Sequence, residues 1–363
     1  MQIRCPLSEL LLAIQAVSGV ISRRTYMPIL SGLEIRANDL IEVRATDMEV
    51  SLEIVIKGQI IKEGAAIVPA KLLLDILKTL PQREIELKTI ENTTHLDCGN
   101  IHFELQGFNP EDYPQATESM IGAGLKLESP VLKKQISQVI RAVSQDEAKT
   151  TLTGILWQAQ ENLLTLVACD SYRLAVAEST ILEKGTMDIL IPGSACRLLT
   201  RLLGDDDLIM MWDDDKVVFS FRNHNLEARL LVGKHVEWQP LIPLVFAGKA
   251  ELSVKDLEQA LKRVALLSPK GTQVVKFSLE PERLTLWTRS HDQGEAKEEL
   301  SISWSGEPLV VDLNASFCLD GLVSLPGEKV LFQVDEAKQK VLLRDPKEES
   351  FSYLLMAVKV PEE

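Results

Sequence analysis

Residue types that could do chemistry are all present in this chain, but none stands at a spacing that would let it work. The five histidines (His95, His102, His224, His235 and His291) form neither an HxH pair nor an HExxH helix, so a metal centre is not expected. Two aspartate runs, Asp205–Asp207 and Asp213–Asp215, could in principle ligate a cation. Both flank the apolar stretch LIMMW, where short carboxylates favour turns, and solvated turns are the expected reading. Cys5, Cys98, Cys169, Cys196 and Cys318 are scattered without a CxxC, as befits buried thiols in a reducing compartment rather than a disulfide framework. The GAG at Gly122–Gly124 lacks the third glycine and the strand-to-helix setting of a dinucleotide site. No GxSxG, Walker or local Cys-His signature occurs. The expectation is a chain with no catalytic residue, no metal and no cofactor, which acts by binding.

Its 363 residues suit two or three domains of about 100–150 residues each. With 45% apolar residues there is enough Leu, Ile and Val for several cores, so folding needs no disulfide or metal staple. The opening MQIRCPLSELLLAIQ has one early basic residue and an interrupted apolar stretch, the pattern of an amphipathic helix rather than a signal peptide. No run approaches the roughly 18 apolar residues of a spanning helix, so a cytoplasmic protein without membrane contact is expected. Lys and Arg number 39 against 53 Asp and Glu, a formal charge of −14 that repels phosphate from most of the surface. Contact with nucleic acid would need the basic residues gathered on one face.

Self-similarity at a period of roughly 120 residues organises the chain. Three segments place apolar residues at helical spacing: Leu7, Leu10, Leu11, Ile14 and Val17; Leu132, Ile136, Val139, Ile140 and Val143; Leu257, Leu261, Val264 and Leu267. A serine near each start, Ser8, Ser129 and Ser253, is the expected N-cap. A second helix is predicted within IVPAKLLLDILKTLPQ, LIPGSACRLLTRLLGD and VVDLNASFCLDGLVSLPG. In the first two, proline sits where a strand gives way to a helix and a missing N–H does no harm. Between the helices lie alternating β-branched runs with turns at Asn38-Asp39, Glu161-Asn162 and Pro281-Glu282, the pattern of hairpins. Short motifs recur as well: LSG at Leu30 and LTG at Leu152, ATD at Ala45 and ACD at Ala168. The predicted organisation is three α+β units, 1–122, 123–244 and 245–363. Their junctions lie around Ser119–Gly124 and Pro243–Lys249.

The passages MPILSGL, TDMEV, VPAKLLLDIL, LTGILW, CDSYRLAV and SYLLMAVKV resemble, over essentially the whole chain, the bacterial DNA sliding clamps, the beta subunits of the replicative DNA polymerase. That resemblance implies the α+β DNA-clamp fold in three repeated domains, with two chains closed into a ring, helices lining the pore and sheets outside. It also implies a non-catalytic processivity factor. Such a protein encircles double-stranded DNA without reading its sequence, is opened by a clamp loader and tethers DNA polymerase subunits.

In such a ring the charge finds a place. Lys71, Lys78, Lys133, Lys134, Arg141, Arg197, Arg201, Lys255, Lys262 and Arg263 lie on the polar sides of predicted helices, and acidic residues crowd turns instead. The family adds Arg24, with Arg23 beside it, and the loop from Gln145 to Thr151 as further DNA contacts. Basic helices inside an acidic shell would hold DNA loosely through its phosphates. The plainer reading of any single lysine or arginine is a solvated helix face; three units behaving alike favour the pore.

The resemblance further implies a cleft that takes a short apolar peptide from each partner. CDSYRLAV matches the family's pocket loop, which puts Cys169, Ser171, Tyr172, Arg173 and Leu174 there with Leu152 beneath. HVEWQPLIP would add Val236 and Leu241, the third unit Asn314 and Phe317, and the last strand Met356. Taken singly, Leu152, Leu174 and Met356 read equally well as ordinary core. Cys169 stands where the family usually has Thr, Val236 and Pro240 where Pro and Arg are common, and Ala357 where Pro is frequent, so an altered peptide preference is implied. For pairing of two chains, Phe103 and Leu105 would meet Leu266 and Leu267 with Glu295, Glu298 and Glu299 nearby, joining edge strands into one sheet. The other reading of the same repeats is a divergent clamp-like scaffold with altered partner preference.

Overall fold

The computed structural model describes residues 1–21, 27–115, 124–269, 271–290 and 292–359. The order strand, helix, strands, helix, strands occurs three times along the chain, as the period predicts. The helices are α1 (Leu7–Val17), α2 (Ala70–Thr79), α3 (Ser129–Val139), α4 (Gly193–Leu202), α5 (Val254–Ala265) and α6 (Ala315–Ser324). Each predicted apolar stripe is the buried one: Leu7, Leu10, Ile14 and Val17 in α1, Leu132, Ile136 and Val139 in α3, and Leu257, Leu261 and Val264 in α5. No helix among the described residues is long and apolar enough to cross a membrane.

Of the three serines expected as caps, only Ser253 caps, its Oγ accepting the Asp256 N–H at 3.2 Å. Ser8 falls inside the first turn of α1, because the helix begins directly after Pro6. Ser129 Oγ donates to the Asp206 carbonyl instead, a tertiary partner that no local pattern announces.

Two compact units make up the chain. The first is Met1–Pro130 with Arg197–Leu230, and the second is Val131–Cys196 with Leu231–Glu363. The first unit holds a five-stranded antiparallel sheet in the order Gln59–Lys62, Gln2–Pro6, Glu84–Ile90, Thr93–Cys98, Ile101–Gln106. It also holds an eight-stranded sheet in which His224–Arg229, from the second repeat, pairs with Val50–Ile56 of the first, Leu226 opposite Leu52. In the second unit a seven-stranded sheet joins Arg173–Pro192 to Phe351–Met356, Leu174 opposite Leu354. Its four-stranded sheet runs Gly294–Ser301, Arg283–Ser290, Val274–Glu280, Leu309–Asn314. Main-chain pairing therefore carries sheets from one repeat into the next, and the compact units are not the repeats themselves.

The recurring ATD and ACD motifs mark one turn built twice. Asp47 Oδ1 accepts the N–H groups of Glu49 and Val50 at 3.0 and 2.7 Å, and Asp170 Oδ1 those of Tyr172 and Arg173 at 3.0 and 3.1 Å. The residue after each aspartate, Met48 or Ser171, takes a positive φ of 79° or 81°, which the two side-chain bonds hold in place. The turn expected at Glu161-Asn162 lies inside the strand segment Gly154–Cys169. There Glu161 has φ 53° and the pairing with Arg173–Pro192 shifts register.

Candidate functional site

The loop Cys169–Arg173 is the natural starting point, because its turn aims Arg173 back across the sheet. The Arg173 Nε donates to Asp170 Oδ2 at 2.9 Å, and its Nη1 to Asp320 Oδ2 at 2.6 Å and to the Tyr353 hydroxyl at 3.2 Å. Its guanidinium also lies 4.3 Å from the centre of the Phe317 ring, on which Tyr172 stacks from 6.1 Å. Burial works against the Arg173 charge, but Tyr353 and the Asp320 and Asp170 carboxylates outweigh it and raise its pKa above the ordinary arginine value. The side chain is thus fixed in position and permanently charged.

On the other face of the same strand, starting from Leu174, the structure gathers an apolar cluster from distant segments. Leu152, Cys169 and Leu174, all predicted, pack with Leu156, Val167, Val176, Leu190, Leu342 and Leu354. Half-buried Leu231, Trp238, Ile242 and Phe246 close over it. Trp238 is anchored by its Nε1–H, which donates to Gln158 Oε1 at 3.0 Å. Sequence reading named Val236 and Leu241 from this segment, but both are exposed. The short 3-10 turn Gln239–Leu241 directs their neighbours Trp238 and Ile242 inward instead.

The other predicted pocket residues divide. Phe317 is the ring under Arg173. Tyr172 stands 59% exposed at the loop tip, and Ser171 Oγ accepts from Lys149 Nζ at 3.3 Å. Met356 ends the last strand, exposed to solvent, and its N–H donates to the Tyr172 carbonyl at 2.8 Å. It is Leu354 of that strand that enters the cluster. Asn314 is committed to the fold: its Oδ1 caps α6 by accepting the Phe317 N–H at 3.0 Å, and its Nδ2 donates to the Thr272 carbonyl at 2.8 Å. Asp170, Asp320 and Tyr353 were not anticipated. The aspartate of the ACD motif was the one signal that could have revealed any of them.

The predicted basic positions on α2 to α5 are all exposed, as are Arg141 and Gln145. Helices α1 and α6 carry no basic residue, Glu9 and Asp320 being their only charges, so the positive character belongs to the middle four helices. Some of these cations are held by carboxylates: Lys134 by Glu348 at 2.6 Å, Arg141 by Asp320 at 3.3 Å and Lys262 by Glu258 at 2.5 Å. Arg263 and Glu298, expected in different sites, form one two-pronged pair at 2.9 and 2.5 Å. Among the described residues no carboxylate pairs with Lys71, Lys78, Arg197 or Arg201. Arg23 and Arg24 lie outside the described residues.

Two strands expected at a chain–chain contact are indeed sheet edges: Ile101–Gln106 in the five-stranded sheet and Gly294–Ser301 in the four-stranded one. On the first, Phe103 and Leu105 point to their own core, with Leu105 buried, while His102, Glu104 and Gln106 face out. Leu266, just past α5, is 78% exposed, whereas Leu267 is half-buried. Glu299 pairs with Lys297 and Arg283 on its own sheet.

Comparison with known proteins covers nearly the whole chain. Residues 1–117 match the DNA polymerase III beta subunit N-terminal domain, 126–236 its central domain and 239–359 its C-terminal domain. The chain is 30% identical to the beta sliding clamp of Staphylococcus epidermidis over 355 residues, 93% of this chain and 94% of that one. Among solved structures, the sliding clamp of Bartonella birtlesii bound to griselimycin superposes with a TM-score of 0.94 at 29% identity, over 99% of this chain and 100% of that one. The clamp of Bacillus subtilis gives 0.93 at 27% identity over 99% of each chain.

Proposed function

The chain belongs to the DNA polymerase III beta subunit family and works as a DNA sliding clamp; we propose that two copies close into a ring around duplex DNA and take up their partners at the apolar cluster beside Arg173. The exposed cations of α2 to α5, together with Arg141 just after α3, meet the phosphate backbone, with Lys71, Lys78, Arg197 and Arg201 most available because no carboxylate among the described residues neutralises them. Loose, sequence-independent contact suits sliding, since topological linkage supplies processivity. The chain is a non-catalytic subunit, and a separate clamp loader opens it.

For the partner site, the observation that carries the proposal is the convergence of Leu152, Cys169 and Leu174 with Trp238, Ile242 and Leu354 at the end of the strand whose loop carries Tyr172, stacked on Phe317. A rigid apolar seat suits an extended peptide bearing Leu or Phe, and Arg173 serves it by holding Phe317 and the Cys169–Arg173 loop in place. Griselimycin is expected to bind this chain as well. The unpaired edges Ile101–Gln106 and Gly294–Ser301 are the strands that join between copies, with Leu266 beside them.

The test of encirclement is topological. The full chain should have a solution mass near twice 40.4 kDa by light scattering, and once loaded it should stay on nicked circular DNA until the circle is linearised. Equal retention on circular and linear DNA would overturn the ring.

A further inference from the structure

Asp320 on α6 is shared. One carboxylate oxygen, Oδ1, accepts from Arg141 at 3.3 Å, and the other, Oδ2, from Arg173 at 2.6 Å. Arg141 follows α3, with a side chain 45% exposed, and is one of the cations assigned above to DNA. Arg173 is nearly buried and lies over the ring of Phe317, on which Tyr172 stacks, two of the residues expected at the peptide site. Asp320 is also the only charged residue of α6.

We propose that Asp320 is a positioning residue that couples DNA occupancy to peptide binding, an inference resting on the DNA and peptide assignments just made. The physical step is a competition for Arg141. A backbone phosphate offers that exposed guanidinium a stronger anionic partner than half of a carboxylate already engaged with Arg173. When Arg141 turns to phosphate, the Asp320 charge is left undivided to Arg173. Arg173 is then held more firmly over Phe317, in the geometry the peptide needs, and the ordering cost of binding falls. The clamp would thereby favour partners when DNA is threaded through it. By linkage, peptide must raise DNA affinity by the same factor.

A peptide ending in Leu-Phe, labelled with fluorescein, reports binding to the full chain by anisotropy, with and without saturating linear duplex at low salt. An interaction across one half-exposed ion pair predicts an affinity gain of about two- to fivefold on DNA. In Asp320→Asn the peptide and the duplex should each still bind, but the gain should vanish. In Arg141→Gln the DNA-free peptide affinity should already equal the DNA-bound value of the unaltered chain. A gain that persists unchanged in Asp320→Asn overturns the coupling while leaving the peptide seat standing. Failure of the unaltered chain to bind the peptide overturns the seat and the coupling together. Thermal unfolding confirms that both variants are folded, and reciprocity of the two gains separates coupling from a merely structural loss.

Discussion

The Cys169 thiol lies 3.8 Å from Nε2 of His235, whose other ring nitrogen, Nδ1, faces the Val236 carbonyl at 3.3 Å. An N–H donated from Nδ1 leaves Nε2 bare, so the thiol is the donor in a neutral S–H···N contact. Burial pushes the Cys169 thiol up to about 11 and holds His235 below the ordinary histidine value. Both effects keep the pair uncharged near neutral pH, with Cys169 inside the apolar cluster. The cysteine in place of the family's usual threonine is thus accommodated as a packing residue with one weak polar contact.

Acidification should weaken the fold through this contact. His235 and His224 both have folded values below the unfolded 6.5, lowered chiefly by burial. Below pH 6.5 the unfolded chain therefore binds more protons than the folded one. Stability consequently rises with pH in that window and falls as pH drops from 6.5 through the depressed folded values. The slope for each histidine should stay under about 1.4 kcal/mol per pH unit. Urea midpoints measured from neutral pH down to the window should show it, and His235→Asn should flatten the dependence. An unchanged dependence in that variant would remove His235 from the account.

Arg173→Lys keeps the charge but loses the planar fork and the stack on Phe317. Peptide affinity should fall about tenfold, or about 1.4 kcal/mol. Global stability should fall by about 1–3 kcal/mol as Asp170 and Tyr353 lose a partner. Titration calorimetry and denaturant unfolding read the two separately, and wild-type peptide binding by the lysine variant would show that the Phe317 ring held by the fork does not contribute to the peptide site.

Replacing Lys71, Lys78, Arg197 and Arg201 together by Ala should leave stability within about 0.5 kcal/mol per site, since all four are exposed and none pairs with a carboxylate among the described residues. DNA association should weaken, and the slope of log K against log salt should become shallower by up to about 7 for the two-chain ring, which loses these cations twice over. An unaltered slope would place the DNA contacts elsewhere.

Leu266→Asp changes a side chain that is 78% exposed within one chain and should cost the single chain little. If Leu266 is covered when the sheet edges join, the charge is buried there and the two-chain mass should give way to 40.4 kDa at micromolar concentration. A variant that remains a dimer would exclude Leu266 from the contact.

The sequence by itself determined what short-range physics encodes. Apolar residues every three to four positions announced α1, α3 and α5, and the stripe each buries. The paired ATD and ACD motifs announced the repeat, and in the structure the side chains of Asp47 and Asp170 build the same turn at both. The clamp fold was implied by the family resemblance of CDSYRLAV and the other passages, which also grouped Leu152, Cys169 and Leu174, three residues that do pack in one cluster. These signals are legible because helix periodicity, strand alternation and side-chain-to-backbone turns act over a few residues.

Only the tertiary structure decided which residues meet. Arg173 finds Asp320 and Tyr353 because Arg173–Pro192 pairs in one particular register with Phe351–Met356 and because α6 lies beside that sheet. A shift of one residue would have turned Arg173 to the opposite face. Trp238 and Ile242, rather than Val236 and Leu241, reach the cluster because a single 3-10 turn rotates the segment. Ser129, with the right side chain for a cap, was claimed by the distant Asp206 carbonyl. Asn314, with the right chemistry for a ligand, was claimed by the end of its own helix. Each is a contest between a local and a distant partner, decided by strand register and packing that no run of neighbouring residues contains.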